Sequence, residues 1–192
     1  MNTVTDIGGI PYYILEFGDE LVYFTPYTIT LFLLALTFTV LVIISRPEKQ
    51  VDIAFGGDAY RTKDISVPEM RFRRYMAIAC GLASMGAMVT GDIFNFTLFT
   101  AMVGITNVGI VAAVKSPHVQ DAAYQYGLVA LSATVPLIAK AMLVIGVIGE
   151  GMAPFYAAKA EMFRAPGAPY VIMCSLSSLL IFLRVVEVVM LG

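Results

Sequence analysis

The residue that most invites chemistry is a lysine inside an apolar run. Lys140 lies in SATVPLIAKAMLVIGVIG, well inside a stretch long enough to cross a bilayer. A lysine there costs a few kcal/mol unless it meets water, a carboxylate or a bundle interior. Pro136, one turn earlier, removes the amide that would bond to the carbonyl of Ser132 and kinks the helix. A freed carbonyl, the Ser132 hydroxyl and an ammonium on neighbouring turns can hold a water, and such broken helices accompany ion sites in transporters. Two readings follow for Lys140: it handles moving charge, or it pairs with a carboxylate on another subunit and fixes packing.

The other candidates sit near span ends. Asp92 stands before an apolar run, placed to cap a helix by accepting from its exposed amides. Asn95 follows at i+3, with Thr97, Thr100, Thr106 and Asn107 beyond it. This span is polar enough to belong inside a bundle, through interhelical hydrogen bonds or along a hydrated path. Arg184 and Glu187 are three apart, hence on one helix face, and are expected to pair. Glu150 closes the Lys140 helix, as a proton entry or exit group or as a solvated end. His118 falls in a short loop and is expected to be exposed.

Composition sets the solvent. Of 192 residues, 59% are hydrophobic and 14% charged, and the mean hydropathy is +0.83. A soluble domain carries about a quarter charged residues, so lipid must cover much of this surface. The net charge of -2, with acids and bases grouped into a few short stretches, argues against nucleic acid, which would need a basic face. Cys80 and Cys174 both lie in apolar runs and read as small hydrophobes. With one histidine and no Cys-x-x-Cys, the chain by itself cannot hold zinc, haem or an iron–sulfur cluster. Any redox chemistry belongs to a partner.

A span needs about 20 apolar residues. Five are expected, at about 24–45, 75–90, 93–114, 123–149 and 169–191, in an all-α integral membrane protein forming a single membrane domain. Gly91-Asp92 makes spans two and three an antiparallel hairpin. Segment 1–23 has no basic residue and four acids, unlike a secretory signal. It is expected to lie at the outer interface. The 46–74 stretch reads as an inner loop, holding seven of the twelve basic residues. Lys115 joins that side, against Lys159 and Arg164 between the last two spans. The positive-inside rule then puts the amino terminus outside and the carboxyl terminus inside.

Arg73-Arg74-Tyr75, an apolar run, then Gly91-Asp92-Ile93-Phe94-Asn95 resembles the antiporter-like subunits of complex I, Mrp antiporters and membrane-bound hydrogenases. There, a basic pair opens one helix and a Gly-Asp-hydrophobic-Phe-Asn turn opens the next. The stretch Lys115–Gly149, with AAYQYGLVALSATVPL, looks like the antiporter helix that follows. The resemblance covers about two-fifths of the chain. Two departures stand out. Where those subunits carry a glutamate this chain has Ala101, with no acid from Ile93 to Val114, and their later channel-lysine helices have no counterpart. Lys140 is not part of the shared motif.

Among such families the chain is most similar to the small membrane subunits of archaeal energy-converting nickel–iron hydrogenases of the A type. That resemblance implies a multi-pass, non-catalytic subunit in the cell membrane that contributes to H⁺ or Na⁺ translocation coupled to ferredoxin reduction. It also implies other membrane subunits and a peripheral hydrogenase module as partners, with the nickel–iron centre and iron–sulfur clusters in those partners. The alternatives are a structural scaffold within such a complex and a stand-alone small transporter. The absence of a duplicated half disfavours the last, since many transporters build their site between repeats.

Overall fold

In a computed structural model, residues 2–3, 13–17, 20–45, 50–53, 60–63, 67–113 and 168–191 are described. The elements are β1 (Asn2–Thr3), β2 (Tyr13–Phe17), β3 (Glu20–Phe24), α1 (Pro26–Ile44), β4 (Gln50–Ile53), β5 (Tyr60–Lys63), α2 (Val67–Val89), α3 (Ile93–Ala112) and α4 (Ala168–Leu191).

The strands correct the all-α expectation. β1, β2 and β3 form an antiparallel sheet in that order, with Phe17 opposite Glu20. The sequence around Gly18-Asp19, YILEF and ELVYF, has the aromatic and branched content of strands flanking a two-residue turn. β4 and β5 pair antiparallel, and Asp52 stands opposite Arg61.

α1 starts at a capping box: the Thr25 hydroxyl accepts from the Thr28 amide at 3.0 Å, and the Thr25 amide donates to Thr28 Oγ1 at 2.8 Å. Pro26 fits the first turn, where its missing N–H costs nothing. The helix buries only Thr28, Leu31, Ala35, Thr39 and Val42, one stripe at helical spacing. Leu33, Leu41, Ile43 and Ile44 stay exposed, as do Phe94, Leu98 and Ile105 on α3. Apolar surface of that extent needs lipid or a protein neighbour.

α2 begins eight residues before the expected span. Glu69 in its first turn pairs with Arg73 four residues on, which extends the helix through the basic cluster. Arg71, Arg73 and Arg74 are thus helical rather than in a loop. The buried face of α2 is built from small residues, Ala77, Cys80, Gly81, Ala83, Ser84 and Ala87, which let neighbouring backbones approach. Gly81 marks the closest meeting. A Cβ there would lie 2.0 Å from Thr39 Oγ1 of α1 and 2.9 Å from Met173 Cε of α4.

α1 and α2 are antiparallel, since Arg74 donates to the Ser45 carbonyl at 2.9 Å while Gly81 meets Thr39. α3 returns antiparallel to α2, with Gly86 against Phe99 and Gly109 against Met76. α4 runs parallel to α2: Met173 lies by Gly81, and Arg184 reaches the Thr90 carbonyl. It is antiparallel to α1, whose Tyr27 hydroxyl donates to the Leu183 carbonyl at 3.3 Å.

Five successive single crossings would instead make the first and last helices parallel and put the chain ends on opposite faces. In the structure α1 and α4 run antiparallel. The packing of Met173, Ser177 and Arg184 fixes α4 in the direction of α2, and the end of α4 lies at the end of the bundle where α1 begins.

Three described helices, at Pro26–Ile44, Phe94–Ala112 and Tyr170–Glu187, are long and apolar enough to cross a membrane. They match the expected first, third and fifth spans. The second falls within α2, whose amino-terminal turns carry Glu69, Arg71, Arg73 and Arg74. The fourth, 123–149, lies outside the described residues.

Candidate functional site

Polar side chains enter the bundle at three levels along α4, at Tyr170, Ser177 and Arg184. Each step is seven residues, about 10 Å along the axis.

The first level is basic. Arg73 is fully buried and paired with Glu69. Arg74 is partly buried, and Tyr170, 1% exposed, lies within electrostatic reach of both guanidinium groups.

The middle level is neutral. Cys80 Sγ donates to Asn107 Oδ1 at 3.1 Å, and Asn107 Nδ2 donates to Ser177 Oγ at 3.2 Å. Ser177 lies 3.2 Å from the Cys174 carbonyl, and Ser84 donates to the Cys80 carbonyl at 2.8 Å. This network ties α2, α3 and α4 in their buried centre, where an unpartnered amide would cost a few kcal/mol. Cys80 and Cys174 are both buried and free of disulfides.

The third level surrounds the α2–α3 turn. Arg184 pairs with Glu187 and reaches the Thr90 carbonyl at 3.5 Å. That carbonyl lies just past the end of α2, where orphan acceptors and the helix dipole favour a cation. Asp92 caps α3, its carboxylate accepting from the Asn95 amide at 3.2 Å. Gly91 lets the Tyr23 ring of β3 sit over the turn: a Cβ would come within 1.7 Å of that ring. A bridge between Val22 and Thr90 holds the sheet there.

Of the seven residues singled out from sequence, four are described, and the structure gathers all of them at this one end. Asp92 and Asn95 form the helix cap, and Arg184 and Glu187 form the ion pair. Lys140, Ser132 and Glu150 lie outside the described residues.

The threonines of α3 carry less interhelical bonding than their number implies. Thr100 and Thr106 each return their hydroxyl to a carbonyl four residues earlier, at 2.8 Å. Asn107 makes the cross-helix bonds. Sequence reasoning missed the Cys80–Asn107–Ser177 network, although one amide in an apolar helix is the signal that such a network exists. It also missed the buried Arg73. Met173, Leu180 and Met88, all buried, belong to the apolar core between the levels. Gaps of about 10 Å along α4 exceed hydrogen-bond reach, so the three levels stand apart as separate polar clusters among the described residues. No group of three histidine, cysteine or acidic side chains fit to hold a metal occurs among them.

A helical bundle with three described helices long and apolar enough to cross a membrane, interior ion pairs and small-residue contacts has the make-up of a multi-pass membrane protein. The model of the family "NADH dehydrogenase I, subunit N related protein" matches residues 3–143 and 135–191, and the chain belongs to that family. It is 40% identical to an uncharacterized protein of Methanocaldococcus jannaschii, over 97% of this chain and 99% of that protein. No solved structure matches.

Proposed function

We propose that this chain is a non-catalytic membrane subunit of an ion-translocating redox complex of the complex I kind, an energy-converting nickel–iron hydrogenase being the specific case. The observation that carries the reading is the family match along nearly the whole chain. The exposed apolar faces of α1 and α3 agree with it, since lipid and other membrane subunits would cover them. In the cell membrane the subunit contributes to H⁺ or Na⁺ movement that drives ferredoxin reduction. The nickel–iron centre and iron–sulfur clusters belong to partner subunits, including a peripheral hydrogenase module.

Within that complex Lys140 is the charge-handling candidate, with Ser132 and Glu150 on the same apolar stretch. Burial disfavours the ammonium and lowers a lysine's pKa, which brings a protonation change within reach. Lys140→Ala in the assembled complex is expected to abolish ion-coupled ferredoxin reduction while leaving assembly intact. Unchanged coupling in this variant sinks the role of Lys140. Isolation of the intact complex in mild detergent tests the class: a nickel–iron hydrogenase module should co-purify.

The separated polar clusters among the described helices favour a second reading, a scaffold that joins membrane subunits and conducts nothing. Dry packing of Lys140 against a neighbour's carboxylate in the complex supports that reading; a hydrated cavity around it supports the first.

A further inference from the structure

At the basic end of the bundle, α2 opens with three arginines in four residues, Arg71, Arg73 and Arg74. Glu69 neutralises Arg73. Among the described residues Arg71 and Arg74 have no carboxylate partner. Arg71 is exposed and solvated, whereas Arg74 is partly buried. One terminal nitrogen of Arg74 donates to the Ser45 carbonyl at 2.9 Å, and its buried Nε donates to nothing. Beside it, within reach of the Arg74 guanidinium, the hydroxyl of Tyr170, a residue 1% exposed, is buried with its own proton donated to no acceptor.

We propose that Arg74 and Tyr170 bind an anionic phosphate group at this end of the bundle. An Arg Nε–H can only donate and a tyrosine hydroxyl can donate, so both suit an acceptor rich in oxygen. A water could fill the hydrogen bonds but leaves the guanidinium charge uncompensated in a partly desolvated place. A phosphate oxygen meets both needs, with the shorter and stronger bonds of a charged acceptor. Arg71, three residues before Arg74 on the same helix face and exposed, forms the open side of the site. The basic ends of membrane helices meet such groups as the phosphodiesters of anionic lipids. A soluble phosphate has the same chemistry.

The test uses the full chain purified in mild detergent, stripped of lipid, and placed in nanodiscs of phosphatidylglycerol and phosphatidylcholine. Native mass spectrometry counts retained lipid, and a parallel arm in detergent titrates inorganic phosphate. One phosphatidylglycerol per chain is expected to stay bound in preference to phosphatidylcholine. Arg74→Ala and Tyr170→Phe should each weaken retention about tenfold, the size of one lost hydrogen bond to a charged group. Tyr75→Phe, which removes an exposed hydroxyl from the next residue, should leave retention unchanged. Saturable inorganic phosphate binding with the same dependence on Arg74 and Tyr170 assigns the site to a soluble anion instead. Tyr170→Phe removes a single oxygen and keeps the ring, so the fold survives for measurement. Retention equal to wild type in that variant, or neither probe bound by the wild type, overturns the proposal.

Discussion

At the scale of the residue, the charges of this chain act in pairs with their backbone surroundings. Arg184 serves two groups, the Glu187 carboxylate and the Thr90 carbonyl at the end of α2, and both ionic side chains are about nine-tenths buried. Removing one partner of a buried pair leaves the other charge unmatched, at a cost of about 3–5 kcal/mol. Arg184→Ala is therefore expected to lower stability by about 3 kcal/mol. Replacing both residues with apolar ones of similar size should cost less than the single change. Unfolding in detergent of the two variants checks this, and a double variant worse than the single would contradict it. The i, i+3 spacing made this pair legible in the sequence, as did the capping position of Asp92. The partner at Thr90 was not legible, because 94 residues separate it from Arg184 and only the packing of α4 brings them together. The same reason hid the bonds of Asn107 to Cys80 and Ser177, though the asparagine itself stood out in an apolar helix.

Elements follow their local signals where those signals are strong. Long apolar runs bounded by caps or prolines gave α1, α3 and α4 in the expected places. The hairpins at 13–24 and 50–63 escaped because membrane composition draws attention to long runs, while a strand needs only four or five alternating residues. The start of α2 escaped because a cluster of arginines reads as a loop until Glu69 is seen one turn before Arg73. Between elements, contact depends on missing side chains as much as on those present. Gly81 lets α1, α2 and α4 meet, and Gly81→Leu is expected to cost about 3 kcal/mol or more through overpacking against Thr39 and Met173. Thermal unfolding of the purified variant should show a large drop in Tm. A midpoint near wild type would mean that the three helices do not converge there.

For the whole molecule, the direction of α4 decides the topology. Since it runs with α2 and against α1, the beginning of α1 and the end of α4 lie at one end of the bundle. Single cysteines placed at each chain end, treated with a membrane-impermeant maleimide in sealed vesicles, should react from the same side. Labelling from opposite sides would restore the alternation of five single crossings. The sequence could not reveal this, since positive-inside counting assigns sides to loops only after the number of crossings has been assumed. Class and family were more legible, because composition demanded lipid and the Gly91–Asn95 turn carried a specific likeness.

That same parallel pairing sets an order of birth. The small-residue face of α2 and the amide of Asn107 emerge from the ribosome long before Cys174 and Ser177 exist to cover them. Among the described helices α4 is the last to be made, and it is the one that covers the small-residue face of α2 and meets the amide of Asn107.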